Sequence, residues 1–215
     1  WYVIIGPPGA GKTTALVNSG LDFPLAGSHG KQSLGGVGGT RHCDWWFTND
    51  AVLIDTAGRY TTQDSHASVD SSAWGAFLQL LRKYRRRRPI NGVIVAVSIQ
   101  DIILGSEEKR EEYARKIRSR IDELQKQLEV HFPIYFVFTK MDLIAGFNEY
   151  FSTYSQPERE QVWGVTFEDT LTGQSFSEEE FKIEFLHLVK KLNDRVLSQI
   201  HSEKNIDKRS SIQNF

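Results

Sequence analysis

Apolar residues recur along this chain in two patterns, and their alternation predicts the fold. Tyr2-Val3-Ile4-Ile5, Val52-Leu53-Ile54, Val93 to Val97 and Ile134 to Phe138 are short, continuous apolar runs rich in β-branched and aromatic residues. Such runs suit strands buried on both faces of a parallel sheet. Asp44 to Thr48 and Ala51 to Asp55 read as two strands joined by a tight turn at Asn49-Asp50. Trp45 and Trp46 there read as core and sheet-face packing, and Trp163 to Phe167 is again strand-like.

Between the strands the apolar period lengthens to that of a helix. A short helix begins at Lys12 and runs to about Ser19, with Gly20 placed to stop it. Trp74 to Tyr84 turns Phe77, Leu80 and Leu81 inward. A long helix starts at Ser106, with Glu107 and Glu108 in its first turn and Tyr113, Ile117, Ile121, Leu124 and Leu128 on one face. Phe147, Tyr150, Phe151 and Tyr154 form an aromatic cluster at helical spacing and read as core. Ser177 with Glu180 is a capping box that opens a final helix striped by Phe181, Phe185, Leu188, Val189, Leu192, Val196 and Ile200.

Strands alternating with helices predict an α/β fold. The expectation is a mixed, mostly parallel sheet flanked by helices, with one antiparallel strand from the 44–55 hairpin and a C-terminal helical extension. The expected division is 1–176 for the α/β domain and 177–215 for the last helix and a polar tail from His201 that leads into the rest of a longer parent protein.

With 215 residues and 40% hydrophobic positions, the chain can bury one full core and a small annex. Its net charge of −1 gives no global reason to expect nucleic-acid binding. A single cysteine, Cys43, allows no internal disulfide and fits a reducing compartment. No apolar run approaches the ~20 residues that span a bilayer.

The candidate chemistry begins where the first strand ends. Gly6-Pro7-Pro8-Gly9-Ala10-Gly11-Lys12-Thr13 fits the phosphate-loop template G-x-x-x-x-G-K-[ST] at every fixed position. Its glycines let the backbone curl so that N–H groups from Gly9, Ala10, Gly11, Lys12, Thr13 and Thr14 face phosphate oxygens. Lys12 is expected to reach the β- and γ-phosphates, and the Thr13 hydroxyl to ligate Mg²⁺.

A second motif, Asp55-Thr56-Ala57-Gly58, closes an apolar strand. There Asp55 can hold Mg²⁺ directly or through water, and Gly58 offers an unobstructed N–H to the γ-phosphate. Residues 20–40 are glycine-rich and aperiodic, and read as a switch loop whose Thr40 closes over Mg²⁺ and the γ-phosphate. Within it Ser33 to Val37 resembles the signature of transporter ATPases but stands before the second motif instead of after a helical insertion. Residues 59–73, polar and rich in Ser and Asp, suit a mobile second switch.

The third motif is Thr139-Lys140-Met141-Asp142, a [NT]-K-x-D sequence at a strand end. The Asp142 carboxylate would accept hydrogen bonds from guanine N1–H and its exocyclic amine, with the Lys140 stem over the ring. Adenine offers no such amine, and sites that leave a polar group unpaired discriminate by roughly 10⁴-fold. GTP is therefore favoured and ATP remains open. A fifth loop for the base has no clear match here.

Two further features carry less. Arg85 to Arg88 ends a helix, where cations complement the dipole; a contact with acidic lipid or an acidic partner is the other reading. The six histidines show no metal spacing, and His42 beside Cys43 and Asp44 is the only tempting group.

Taken in order, the three motifs resemble a GTPase-type P-loop NTPase domain. The octapeptide with Thr14, the run Gly38-Gly39-Thr40-Arg41-His42-Cys43-Asp44-Trp45-Trp46-Phe47, then Ile54 to Tyr60, and later Val162 to Phe167 together resemble the TssM/IcmF family. That family supplies the large inner-membrane component of bacterial type VI secretion systems. The resemblance implies an NTPase domain on the cytoplasmic face of the inner membrane, set between transmembrane segments of its parent and working in a complex with TssL and TssJ.

Hydrolysis would be in-line attack of water on the γ-phosphate, with Lys12, Mg²⁺ and loop N–H groups stabilising the transition state. Where many GTPases place a water-orienting glutamine, this chain has Arg59. The expectation is slow intrinsic turnover with Arg59 or Arg41 as a charge stabiliser. The rival readings are a nucleotide-sensing module with negligible turnover and a P-loop kinase in which Arg85 to Arg88 imitates a lid.

Overall fold

A computed structural model describes residues 1–24, 43–62, 67–167 and 177–215. The chain divides into two compact units, Trp1–Met141 and Asp142–Phe215. The expected boundary at 176/177 abuts residues outside the description.

The first unit is built on a five-stranded sheet of order β2-β3-β1-β4-β5, comprising β1 (Tyr2–Ile5), β2 (Cys43–Phe47), β3 (Val52–Thr56), β4 (Gly92–Ser98) and β5 (Ile134–Thr139). β1 pairs in parallel with β3 and β4, and β4 with β5, while β2 runs antiparallel to β3. The hairpin is held by Thr48, whose hydroxyl accepts from the Ala51 N–H at 2.8 Å. The sheet is therefore mixed and mostly parallel, with its antiparallel edge where the 44–55 hairpin predicts it.

Alternate residues of each strand face opposite layers. Val3, Ile5, Ile54, Val93, Val95 and Val97 form the main core with Trp74, Leu78 and Leu81 of α3 (Ala67–Tyr84) and with Ile117, Ile121, Leu124 and Leu128 of α5 (Glu107–Leu128). Ile4, Leu53 and Trp46 meet Leu16 of α1 (Lys12–Val17) on the other face. α5 starts where its sequence predicts, the Ser106 hydroxyl accepting from Lys109 N–H. Its exposed i,i+4 pairs, such as Arg118 with Asp122 at 3.0 Å, add only a few tenths of a kcal/mol each.

Two expectations for this unit change, and one element is added. Residues 59–62 and 67–73 lie in helices: α2 (Gly58–Thr62) precedes α3, which starts at Ala67 instead of Trp74. Ser and Asp suit the first turns of a helix, and Asp70 is buried there beside Arg59. β5, expected to be buried, is 40–56% exposed from Tyr135 to Phe138, because no strand among the described residues continues the sheet past it. A short helix, α4 (Ile99–Leu104), follows β4 before α5.

The second unit is helical among its described residues. α6 (Phe147–Phe151), α7 (Gln156–Arg159), α8 (Glu178–Ser202) and α9 (Ile206–Asn214) follow a 3-10 turn at Met141–Leu143. The predicted capping box of Ser177 and Glu180 is present. The aromatic cluster packs as expected, with Tyr150 and Phe151 at 4.8 Å, and it gains Phe215 at 5.2 Å from Tyr150. The tail after His201 is therefore structured, with Ile212 fully buried. Trp163 to Phe167 forms no strand. Phe181 and Phe185 on α8 are 44% and 52% exposed.

Candidate functional site

The Gly6–Gly11 loop joins β1 to α1, and its path needs its glycines. Gly6 has φ +152°, and a Cβ there would stand 2.6 Å from the Ala96 carbonyl oxygen on β4. Gly11 caps α1 in the left-handed conformation, with no side-chain cap and no acid in the first turn. Gly9 is exposed and Ala10 fully buried.

Contacts from far along the chain hold the loop in place. Gly6 N–H donates to Thr61 Oγ1 of α2 at 3.0 Å. Thr139 Oγ1 donates to the Ala10 carbonyl at 2.7 Å. A Cβ on Gly58 would lie 2.3 Å from Pro8 N, so α2 starts in backbone contact with the loop. Thr56 Oγ1 donates to the Ile4 carbonyl at 2.7 Å, tying β3 to β1 just below it.

Lys12 is only 7% exposed. Its ammonium donates to the carbonyls of Gly6 at 2.9 Å and Pro7 at 3.2 Å. Burial lowers its pKa, and the nearby Asp55 carboxylate acts in the opposite sense. Asp55 is fully buried at the end of β3. Its Oδ2 accepts from Thr13 Oγ1 at 2.5 Å. One buried cation, one buried carboxylate and one hydroxyl thus converge at the C-terminal edge of the parallel strands, where open α/β sheets form their ligand crevices.

Gly6 to Thr13, Asp55, Gly58 and Thr139 gather around this point, while Thr14 is exposed on α1. Arg59 Nε is 3.0 Å from Asp70 Oδ1 of α3, and its guanidinium lies 5.2 Å from the Tyr60 ring centroid. Lys140, the next-to-last residue of the first unit, has φ +59°. Asp142 is exposed in the second unit, where its carbonyl accepts from Asn148 Nδ2 at 3.2 Å. Thr40 and Arg41, the switch loop around them, and Ser33 to Val37 lie outside the described residues.

Cys43 on β2 is half-buried, and its thiol is pushed up to about 12, first by burial and then by Asp55 and Asp44. Among the described residues no group of three or more His, Cys, Asp or Glu is placed to hold a metal ion. Sequence reasoning missed Thr61 and Asp70. Both sit in a polar stretch with no local mark that one would meet Gly6 and the other Arg59.

Residues 67–215 match the family model described as the IcmF-related N-terminal domain. The loop and Asp55 precede that match. They fall within a second one: over its whole length the chain is 53% identical to the type VI secretion system component TssM1 of Pseudomonas aeruginosa. The chain spans about a fifth of that relative's length, 20%. No solved structure matches the chain. Among the described residues no helix is long and apolar enough to cross a membrane.

Proposed function

The chain belongs to the family of the IcmF-related N-terminal domain, and on that premise we propose that it binds a nucleoside triphosphate through a P-loop of the GTPase type. One observation carries the reading: Thr13 Oγ1 meets the buried Asp55 carboxylate at 2.5 Å beside the buried Lys12. A hydroxyl and a carboxylate from the first and second motifs, brought together from 42 positions apart, are the donors a phosphate-bound Mg²⁺ takes. Mg²⁺ uses one or two carboxylates plus substrate phosphates, not an all-protein cage, so a three-acid cluster is not required.

With nucleotide bound, Lys12 would leave the Gly6 and Pro7 carbonyls for the β- and γ-phosphates, Gly58 would offer its N–H, and water would attack the γ-phosphate in line. Mg²⁺, when bound, neutralises charge on the β- and γ-oxygens. Thr40, Thr13 and Asp55 are the side chains assigned to it. Lys140 and Asp142 are assigned to the base, which favours GTP over ATP. Similarity to a type VI secretion component supports reading the parent protein as a member of the secretion membrane complex, and we infer TssL and TssJ as its partners and the cytoplasmic face as this domain's side.

A second reading, a nucleotide sensor with negligible turnover, is favoured by Arg59. It stands where a water-orienting glutamine would and is engaged by Asp70 at 3.0 Å.

The test is equilibrium binding of GTP and ATP analogues with Mg²⁺ to the chain and to Asp142→Asn. The expected result is GTP preferred by orders of magnitude, with the variant turning toward xanthine nucleotides. Equal or tighter ATP binding would overturn the base assignment, and no binding of either would overturn the nucleotide site. Single-turnover hydrolysis on the same samples separates the switch from the sensor.

A further inference from the structure

We propose that the end of the first unit opposite the Gly6–Thr13 loop is a docking surface for an anionic membrane. The proposal is independent of nucleotide binding. Its core is the segment 82–88, in which every residue but Tyr84 is Arg or Lys.

The structure fixes where these cations are. α3 ends at Tyr84, and Pro89 and Ile90 are buried immediately before β4. The turn between is held by Arg85, whose N–H donates to the Leu81 carbonyl at 2.8 Å and whose Nε donates to the Arg88 carbonyl at 3.2 Å. The Arg85 guanidinium lies 4.2 Å from the Trp1 ring centroid. Arg86, Arg87 and Arg88 project from this anchored turn and are exposed.

The position excludes a part in phosphate chemistry. Asn91 N–H donates to the Trp1 carbonyl at 2.7 Å, and Tyr2 pairs with Gly92, so the cations sit where β1 and β4 begin. The loop sits where β1 ends. The length of β4 separates the two ends by about 20 Å, so the arginines cannot act as a lid over a phosphate bound at Lys12.

Local carboxylates do not neutralise the run. Arg82 pairs with Glu129 at 2.7 Å, but among the described residues Arg86, Arg87 and Arg88 have no carboxylate within ion-pair distance. The whole chain carries a net charge of only −1, so six cations within seven consecutive positions are a local concentration of positive charge. Tyr84 is 74% exposed within the run, and its ring lies 5.5 Å from Lys83 Nζ. Long cationic side chains around an amphipathic ring suit the headgroup layer of a bilayer, and their attraction to a planar sheet of negative charge needs no matched geometry.

The experiment is co-sedimentation of the 215-residue chain with vesicles of phosphatidylcholine alone and of phosphatidylcholine with phosphatidylglycerol, at low and high salt. Binding is expected only with phosphatidylglycerol and is expected to fall with salt. Joint Arg86→Ala, Arg87→Ala and Arg88→Ala should weaken it on the order of a hundredfold, with the circular dichroism melt unchanged. The corresponding lysine triple should keep binding within a few-fold. Equal binding to neutral vesicles, an alanine triple that sediments like the wild type, or a lysine triple that fails would each overturn the proposal. So would polyglutamate or duplex DNA binding the chain more tightly than the vesicles do.

Discussion

Arg59 Nε lies 3.0 Å from Asp70 Oδ1, joining the first turn of α2 to the first turns of α3. The two side chains are 36% and 5% exposed, so the carboxylate is buried while the guanidinium still touches water. Truncating Arg59 leaves that carboxylate without its ion partner. Breaking a fully buried pair costs about 3–5 kcal/mol, and the exposure of Arg59 reduces this. Arg59→Ala is expected to lose about 1–3 kcal/mol in urea unfolding, and Asp70→Asn less, since an amide still accepts. Unchanged midpoints in both would show that the pair adds nothing to stability.

Lys12 is expected to trade stability for function. Its ammonium is buried against its own loop, and burial lowers its pKa. The unfolded chain therefore holds that proton more tightly, and the lysine's contribution to stability improves as pH rises through its folded pKa. Lys12→Met should leave the free chain within about 1 kcal/mol of wild type, or more stable, while removing measurable triphosphate binding. Triphosphate affinity that survives this change would remove Lys12 from the site.

Gly58 and Gly9 should respond to alanine for different reasons. At Gly58 the new methyl would meet the backbone of Pro8 at 2.3 Å, which cannot swing aside as a side chain can. At Gly9 the space is open, but φ is +77°. Overpacking of the first kind costs about 1–3 kcal/mol and would shift the loop; backbone strain of the second kind costs about 1–2 kcal/mol. Thermal melts together with nucleotide titrations distinguish them, since Gly58→Ala should lose proportionally more affinity than Gly9→Ala.

Cys43 should be a slow thiol. Burial first, then Asp55 and Asp44, raise it from 9.0 to about 12. A raised folded pKa gives a contribution that is complete below the unfolded value and lost as pH climbs through the folded one. Stability should therefore fall between about pH 9 and 12, and Cys43→Ser should flatten that slope. Iodoacetamide at pH 8 should label the native chain far more slowly than the urea-unfolded one; equal rates would contradict the burial.

Much of the architecture was legible in local pattern. The alternation of apolar strands with amphipathic helices located every strand from β1 to β5, and the Asn49-Asp50 turn placed the antiparallel edge. The capping box of Ser177 and Glu180 and the stripe on α5 likewise depend only on residues a turn or two apart. The failures share a cause. Ile134 to Phe138 has the composition of a central strand, but exposure depends on which strand lies beside it. Trp163 to Phe167 has strand composition and no strand partner. Phe215 looked like part of a polar tail until α9 carried it back to Tyr150.

The same division runs through the candidate site. The sequence by itself determined the five strands, the helices α1, α5 and α8, and the glycine conformations of the Gly6–Gly11 loop, because these follow from residues adjacent in the chain. Tertiary structure alone decided that Thr139 fastens the loop through Ala10, that Thr61 receives Gly6 N–H, and that Asp70 holds Arg59. It alone put Arg85 to Arg88 at the far end of the sheet from Lys12. Such pairings form when distant segments return to the same strand edge, and neither partner's local pattern encodes the other's arrival.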